Sequence, residues 1–262
     1  MCIAPFRKKG ELIDLPCGKC NECKSRRISG WSFRLQKEME LHNSAHFVTL
    51  TYDKPPLTPN NFMNLHKQHL QHFFKYLRKD KQPIKYYACG EYGKNTMRPH
   101  YHIILFGTTT DKIEQHWHHG HVHFGDVSGA SIGYTLKYMS KDSKIPLHQN
   151  DDRIKEFALM SKKMGQNYIT PAMIQWHQND LKNRCYIQHY EQKLSMPRYY
   201  KDKIYSDLDK QIIAKHMENL QFLLLPELVD KSLTTKNEIF AKQDLLRIHK
   251  GKTKNKRLNE TF

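Results

Sequence analysis

Two histidines separated by one residue, His100 and His102, are the first side chains in this sequence that could hold a metal ion. They lie in the run PHYHIILF at 99–106, whose β-branched and aromatic residues predict a strand. Alternation along a strand puts both imidazoles on one face, with Cα atoms about 7 Å apart, so that two nitrogens can converge on one ion. Because this pattern is short and often occurs by chance, two partly buried structural histidines are the alternative interpretation.

A carboxylate that precedes the histidines, Glu91, favours the metal interpretation. It ends a second strand-like run, IKYYACGE at 84–91, and the residues between the two runs suit a hairpin loop. In an antiparallel hairpin Glu91 returns to the side of His100, which gives one oxygen and two nitrogens around a small divalent cation. The register of the hairpin decides whether the carboxylate faces the imidazoles.

A second pair of histidines, His121 and His123, has the same spacing and is an alternative metal site. Three more histidines precede it, His116, His118 and His119. No carboxylate is brought to this pair by an obvious hairpin, and the histidine-rich stretch around Trp117 is typical of a loop. We therefore rank this pair second as a metal site.

Paired tyrosines follow in the pattern YTLKYMSK at 134–141. Tyr134 and Tyr138 are four residues apart on a predicted helix, hence on one face, and Lys137 and Lys141 each follow a tyrosine by three residues. A tyrosine hydroxyl is a weak nucleophile until a cation favours the phenolate, and a lysine one turn away can supply that charge. The alternative is an amphipathic helix whose tyrosines pack and whose lysines are solvated.

Cysteines are concentrated at the N-terminus, where Cys17, Cys20 and Cys23 form two consecutive Cys-x-x-Cys steps and Cys2 could complete a set of four. Four thiolates suit a tetrahedral Zn²⁺. The run lacks the second, distant Cys-x-x-Cys of ordinary zinc ribbons, so unmetallated thiols are an equal alternative. This clustering indicates metal binding or reduced thiols in a cytosol rather than a disulfide framework.

A net charge of +17 over 262 residues attracts polyanions and is not required for folding. Nucleic acid is therefore the first partner to consider, with Arg26, Arg27 and Arg34 as candidate phosphate contacts. No stretch approaches about 18 uninterrupted apolar residues, the first residues lack a secretory pattern, and no P-loop motif occurs. We expect a soluble protein of the cell interior with no membrane partner.

The elements that must position these side chains follow from the hydrophobic periodicity. Predicted helices lie at 26–42, from Asn60 or Asn61 to Lys79, at 128–141 and at 204–225, and predicted strands lie at 46–52, 84–91, 99–106 and 119–124. Their order indicates an α+β fold in which helices flank a central antiparallel sheet. We divide the chain into a Cys-rich N-terminal segment at 1–25, a central domain at 26–200 and a helical C-terminal region with a basic tail at 201–262.

Three motifs taken in order, FVTLTYD at 47–53, PHYHIILFG at 99–107 and YTLKYMSK at 134–141, resemble those of rolling-circle replication initiators of the HUH endonuclease superfamily. The segments LPCGKCNECKSRRISGW, CGEYG and MPRYYKDKIY resemble in particular the replication initiators of gokushoviruses, single-stranded DNA phages of the Microviridae. The resemblance covers nearly the whole chain. It departs at SKKMGQNY, where relatives tend to carry a proline before the glycine and this chain has Met164.

The resemblance implies a role for each candidate residue. In this resemblance His100 and His102 match the metal-binding histidines, and Glu91 matches a third ligand. Tyr134 and Tyr138 match the paired nucleophiles. Lys137 and Lys141 match the lysines that accompany them. The central domain would then nick single-stranded DNA at the replication origin of a phage genome through a 5′-phosphotyrosyl link and rejoin the displaced strand into a circle. Mg²⁺ or Mn²⁺ would be bound at the histidines, and Zn²⁺ at the cysteines if they hold a metal.

Host helicase and polymerase are the expected further partners, and the host bacterial cytoplasm is the expected location. Two other functions fit the same residues. One is a non-enzymatic, zinc-dependent nucleic-acid-binding protein with structural histidines. The other is a metal-dependent nuclease that activates water and forms no covalent adduct.

Overall fold

The computed structural model describes residues 2, 5–7, 9–10, 15–137, 145–217 and 219–220. The helices are Asn21–Met39 (α1), Lys67–Lys79 (α2), Thr110–His116 (α3), Gly129–Lys137 (α4), Pro171–Gln178 (α5) and Arg198–Ile204 (α6). The strands are Ala45–Thr51 (β1), Lys85–Tyr92 (β2), Pro99–Phe106 (β3), Val122–Gly125 (β4), Phe157–Met160 (β5), Tyr186–His189 (β6) and Gln192–Ser195 (β7). The predicted α+β class is confirmed.

Five strands form one antiparallel sheet in the order β4, β1, β3, β2, β5. Strands β2 and β3 pair as the predicted hairpin, with Glu91 directly opposite His100. On the other side of β3, Thr49 and Thr51 of β1 lie opposite His102 and His100. Because paired residues point to the same side, this register places all of these side chains on one face of the sheet.

Each face of the sheet packs against its own helices. Ile103 packs with Phe73 beneath α2 and α3, whereas Ile104 packs with Leu35 and Leu136 beneath α1 and α4. The adjacent isoleucines of β3 are both fully buried, as expected for a central strand that is covered on both sides. His100 and His102 lie on the α1/α4 face, since they precede Ile104 on β3 by four and two residues, and Glu91 shares this face because it pairs with His100.

The helix predicted from Asn60 or Asn61 is wrong at its N-terminus, because α2 begins at Lys67. Asn61 lies in a turn with a φ of +65°. The His66 N–H donates to the Tyr101 hydroxyl at 2.9 Å, and the same hydroxyl donates to the His66 carbonyl oxygen at 2.9 Å. This contact holds the chain against the sheet before the helix can start.

Other predicted boundaries also shift. Helix α1 begins at Asn21 rather than at residue 26, since Cys23 is buried in its first turn. Strand β4 begins at Val122 rather than at His119, because Gly120, with a φ of +153°, interrupts the regular strand. Helix α4 is described as far as Lys137.

The chain divides into two compact units, with the boundary after Ser206. The first unit contains α1 to α6 and both sheets. In the second unit, residues 207–217 are helical. The helices in the described ranges all lack the combination of length and apolar character needed to cross a bilayer.

Residues 161–168, the segment that departs from the resemblance, are tied to α1. Met164 is fully buried, and its carbonyl oxygen accepts from Arg34 Nε at 3.0 Å. Gly165 follows with a φ of +68°, and its N–H donates to Glu38 Oε2 at 2.7 Å. The buried side chain and these two hydrogen bonds fix the loop in place.

We expect Gly165→Ala to destabilise the protein by about 2 to 4 kcal/mol. A Cβ at this position would lie 2.6 Å from the Arg34 carbonyl oxygen and 2.8 Å from the Tyr200 hydroxyl, in a left-handed backbone conformation. Urea denaturation followed by circular dichroism measures the change. Gly133→Ala in α4 is the control, because a Cβ there meets open space, and it should keep or raise stability by up to about 1 kcal/mol. Equal stability of the two variants would contradict this account.

Candidate metal centre and tyrosine helix

Glu91, His100 and His102 lie together on the α1/α4 face of the sheet. Glu91 Oε1 is 2.8 Å from His100 Nε2 and 3.2 Å from His102 Nε2. The ligand atoms of the three residues all lie within 4.8 Å of one another, and Glu91 and His102 are buried. The structure therefore brings together the one oxygen and two nitrogens that the hairpin was expected to combine.

The second nitrogen of each imidazole is also engaged. His100 Nδ1 lies 3.2 Å from the Arg98 carbonyl oxygen, and its Nε2 faces Glu91. His102 Nδ1 lies 3.0 Å from Thr49 Oγ1. Bonds of this kind orient the rings of metal-ligating histidines, and here both Nε2 atoms are turned toward the carboxylate.

The contact between Glu91 and His100 requires a proton or a cation between the two atoms. A carboxylate only accepts hydrogen bonds, so an Oε1–Nε2 distance of 2.8 Å needs a proton between the atoms or a cation bound to both. Burial by itself raises the pKa of the Glu91 carboxyl, but hydrogen bonds from His100 and His102 and their charges outweigh it, so the pKa lies below its ordinary value. The carboxyl group is thus held in the anionic form that binds cations.

The three donors fit an open divalent metal site. One carboxylate oxygen and two imidazole nitrogens supply half of an octahedral shell and leave positions for water or phosphate oxygens. Such an incomplete protein shell is typical of catalytic rather than structural metal sites.

Tyr134 on α4 faces this group. Its ring centroid lies 5.1 Å from that of His102, at an interplanar angle of 85°, and 6.3 Å from that of Phe47. Phe47 in turn stacks on His102, with centroids 5.7 Å apart. Tyr134 remains 45% exposed, so the residue packs beside the ligands and is still accessible to a substrate.

Helix packing fixes the position of Tyr134. Thr135 and Leu136 are fully buried and hold α4 against the sheet, which turns Tyr134 toward His102. Lys137, one turn further on, is exposed. The second predicted nucleophile, Tyr138, and its lysine, Lys141, lie outside the described residues.

The other histidine pair is not arranged in this way. His121 precedes β4, its side chain is 74% exposed, and its Nε2 lies 3.1 Å from Asp53 Oδ1. His123 lies opposite Thr49 and is exposed. In the part of the chain that the structure describes, neither histidine belongs to a group of three converging ligands. The geometry favours the group that contains Glu91.

The N-terminal cysteines form a second group of ligands. The Sγ atoms of Cys2, Cys17, Cys20 and Cys23 all lie within 4.8 Å of one another. Cys17 Sγ and Cys23 Sγ are 4.0 Å apart, close to the edge of about 3.8 Å of a tetrahedron with thiolates about 2.3 Å from Zn²⁺. The Cys17 N–H donates to Cys2 Sγ at 3.2 Å, and the Cys20 N–H donates to Cys17 Sγ at 3.4 Å. The four thiols fit a closed, structural metal site.

These thiols differ in their electrostatic surroundings. Hydrogen bonds from the backbone of Cys20 and Lys19 lower the pKa of Cys17. Burial raises the pKa of Cys23 to about 12. A bound cation would supply the positive charge that favours the Cys23 thiolate in spite of its burial.

The three candidate phosphate-binding arginines lie on α1 in different surroundings. Arg26 and Arg27 are exposed. Arg34 is only 9% exposed, and its guanidinium carbon lies 4.1 Å from the ring centroids of both Trp31 and Tyr199. Arg34 is thus part of the wall of a pocket rather than an exposed surface charge.

The sequence analysis missed the groups that orient the ligands, namely Thr49, Phe47 and the Arg98 carbonyl. Alternation in the run HFVTLTY places Phe47 and Thr49 on one face, and that signal was available. No feature of the neighbouring sequence indicated that the strand with Phe47 and Thr49 would pair with the strand that carries His100 and His102.

We expect His100→Ala to weaken Mn²⁺ binding by about tenfold or more, because it removes one of three converging ligands. Isothermal titration of the protein with Mn²⁺ measures the affinity. The matched control is the double variant His121→Ala/His123→Ala, which should bind Mn²⁺ like the wild type. Loss of binding in the control together with unchanged binding in His100→Ala would show that the metal site is misassigned.

Comparison with known proteins covers the same region. A family model for replication-associated proteins of the ORF2 type matches residues 45–143, a range that includes Glu91, His100, His102 and Tyr134. No solved structure gives a significant match. The family match therefore includes every described member of the candidate site.

Three relatives are similar to the chain. It is 31% identical over 182 residues to replication-associated protein ORF2 of Spiroplasma virus 4, a match over 59% of this chain and 57% of the relative. It is 24% identical over 215 residues to replication-associated protein VP4 of Bdellovibrio phage phiMH2K (71% and 66%), and 25% identical over 218 residues to replication-associated protein ORF4 of Chlamydia phage 1 (72% and 53%). The chain thus spans between half and two thirds of the length of these relatives. Together the family model and the three relatives show that the chain is similar to replication-associated proteins of phages.

Proposed function

We propose that the protein is a metal-dependent endonuclease and strand transferase of the HUH superfamily, which initiates rolling-circle replication of a single-stranded phage genome by nicking its origin. The observation that carries the proposal is the contact between Tyr134 and His102, with ring centroids 5.1 Å apart, beside the group of Glu91, His100 and His102. A nucleophile next to converging metal ligands is what phosphodiester transfer to tyrosine requires. The replication-associated relatives support the same biological setting.

In the proposed reaction, the hydroxyl oxygen of Tyr134 attacks the scissile phosphorus. A bond forms between the tyrosine oxygen and phosphorus, and the bond between phosphorus and the 3′ oxygen of the DNA breaks. The phenol proton is lost to solvent and the 3′ oxygen takes up a proton, which leaves a 5′-phosphotyrosyl link and a free 3′-hydroxyl. The free 3′ end can prime synthesis, and the covalent link conserves the energy of the broken phosphodiester for rejoining.

Glu91, His100 and His102 would hold the cation for this reaction. Mg²⁺ or Mn²⁺ bound there would polarise a phosphate oxygen and offset the negative charge that develops on it. The Arg98 carbonyl and Thr49 keep both imidazoles aimed at the site, so the protein does not have to reorganise when substrate arrives.

Lys137 would place a positive charge near the phenolate that forms on Tyr134. Tyr138 and Lys141, outside the described residues, would repeat this pair one helical turn later. A second tyrosine can attack the regenerated origin while the first holds the 5′ end, and this exchange joins the displaced strand into a circle. Two nucleophiles therefore suit repeated rounds of replication.

The proposal also names partners. The substrate is single-stranded DNA at the phage origin. The net charge of +17 attracts its phosphate backbone. A host helicase and polymerase would unwind and copy the template, in the host bacterial cytoplasm. The helicase and the polymerase are both needed because the proposed reaction only breaks and reforms a phosphodiester bond.

At the N-terminus we propose a structural Zn²⁺ bound by Cys2, Cys17, Cys20 and Cys23. Four thiolates complete its shell and leave no position for a substrate, so this ion would have no part in nicking. Its role would be to fold the first residues onto the start of α1, a segment with little core of its own.

Incubation with a single-stranded oligonucleotide of the phage origin and Mn²⁺, followed by a denaturing gel, tests the proposed function. We expect an adduct of protein and DNA that survives denaturation. Tyr134→Phe and Tyr138→Phe should each retain some adduct, because the other tyrosine can still attack, and the double variant should form none. Neither single variant should complete successive rounds of nicking and circularisation.

Tyr76→Phe is the matched control for this experiment. Tyr76 on α2 is 45% exposed, as Tyr134 is, and also contacts histidine rings, yet it lies outside the site, so the variant should form adduct like the wild type. Cleavage without adduct would replace the proposal with a water-activating nuclease. DNA binding without cleavage would indicate a non-enzymatic nucleic-acid-binding protein.

We expect protein purified without chelator to carry about one Zn²⁺ per chain, measured by elemental analysis. Cys17→Ser should lose this zinc and lower the melting temperature, because it removes one of four ligands. Cys185→Ser is the control, since Cys185 lies outside the cluster, and it should keep the metal. If the wild-type protein contains no zinc, the prediction is wrong and the four cysteines are ordinary thiols without a metal.

A further inference from the structure

A cavity of about 340 Å³ lies between α1 and the residues that lead into α6. Its walls include Arg26, Arg27, Trp31, Arg34, Arg198 and Tyr199. It exists because Gly30 lets the α6 segment approach closely: a Cβ at Gly30 would lie 3.2 Å from Pro197 Cγ. The volume is near the lower end of the range for small-ligand pockets, about 300–1,000 Å³.

Arg34 is the central feature of this pocket. Its guanidinium lies between the rings of Trp31 and Tyr199, and its Nε donates to the Met164 carbonyl oxygen at 3.0 Å. Within the described ranges, no carboxylate lies within ion-pair distance of Arg34. Glu38 on the same helix instead bonds to other groups, including the Gly165 N–H at 2.7 Å. Glu38 attracts Arg34 only from one helical turn away, so Arg34 is a largely buried cation with no carboxylate in direct contact, and an anionic ligand would supply that contact.

The rest of the wall is suited to the same ligand. Four of the twelve lining residues are arginines and none is acidic, all of them within the described part of the chain. Arg26 and Arg27 form no ion pair with the described residues, whereas Arg198 reaches Asp202 at 3.4 Å. The Tyr199 hydroxyl is buried and, among the described residues, has no hydrogen-bond partner.

These groups select an anion with several acceptor oxygens. Guanidinium groups bind phosphate oxygens through paired, charge-assisted hydrogen bonds. Holding one guanidinium between two rings fixes its plane, so that little freedom is lost on binding. A phosphate group satisfies both the positive charge and the donors.

The pocket lies on the same side of the sheet as the candidate metal centre. The Trp31 ring lies 5.2 Å, centroid to centroid, from that of Tyr87 on β2. Tyr87 and Glu91 point to the same face of that strand and are separated by about 13 Å along it. Tyr87 is fully buried, so a strand that reaches both sites would run over the surface rather than along β2, and a flexible single strand can bend in this way more easily than a stiff duplex.

We propose that this pocket binds one backbone phosphate of the single-stranded DNA, a few nucleotides from the scissile bond. The identity of the ligand rests on the proposed function, which makes single-stranded DNA the substrate. The pocket would hold the strand at a fixed distance from Tyr134 and so help to place the scissile phosphate at the metal centre.

Fluorescence anisotropy with a labelled dT20 oligonucleotide, without Mg²⁺ or Mn²⁺, tests this inference. Arg26→Gln/Arg27→Gln should weaken binding about tenfold and reduce the slope of log affinity against log salt by about one. The matched control is Lys75→Gln/Arg78→Gln on α2, which removes the same charge from exposed positions outside the pocket. We expect the control to weaken binding by no more than about threefold. Equal losses in the two variants would overturn the proposal.

A substitution that conserves charge separates the pocket from general electrostatic attraction. Arg34→Lys should weaken dT20 binding several-fold at constant net charge, because an ammonium lacks the planar donors held between the rings. Arg78→Lys is its control, since Arg78 also lies over a ring, that of Tyr86, and it should bind like the wild type. Thermal melts confirm that each variant is folded. If Arg34→Lys is folded and binds dT20 normally, the pocket takes no DNA phosphate.

Inorganic phosphate serves as the competing small anion. Millimolar inorganic phosphate should not displace dT20 at constant ionic strength, because neighbouring contacts along the strand add to the pocket contact. The proposal would be overturned if inorganic phosphate displaced dT20 and the arginine variants still bound dT20 like the wild type. That combination would indicate a site for small anions. Since these measurements need no metal and no cleavage, they remain informative if the adduct assay fails.

Discussion

The pairing of β3 with both β1 and β2 is the constraint on which the rest of the molecule depends. It sets Glu91 opposite His100 on one side and Thr49 opposite His102 on the other. A slip of one residue in the β2 pairing would turn Glu91 into the apolar layer beneath α2 and α3, where an unpaired carboxylate is costly to bury. The hydrophobic pattern that builds the core therefore also protects the geometry of the candidate metal site.

Helix α4 completes the site through the same packing that stabilises the fold. Leu136 anchors the helix to the face that carries Ile104, and Tyr134 is thereby turned toward His102. Phe47 contributes to both, because it packs against the core and stacks on the His102 ring. The orientation of the candidate ligands and the position of Tyr134 are consequences of core packing rather than of flexible loops, which would suit the proposed reaction because it needs fixed geometry.

Helix α1 connects this core with the N-terminal chemistry. Cys23 lies in its first turn and Arg34 about 16 Å further along its axis. The loop at Met164 and Gly165 locks the second of these positions by accepting from Arg34 and donating to Glu38. One rigid helix therefore carries a thiol of the cysteine cluster, the wall of the basic pocket and part of the sheet-covering core.

The sequence by itself determined the features that depend on neighbours within one element or one hairpin. These are the alternation of His100 and His102, the return of Glu91, the spacing of Tyr134 and Lys137, and the order of the central elements. Only the tertiary structure decided where α2 starts, which groups orient the rings, and that Arg34 lies between Trp31 and Tyr199. Each of these depends on contacts between segments far apart in the chain, and local periodicity carries no information about which distant surface an element will meet.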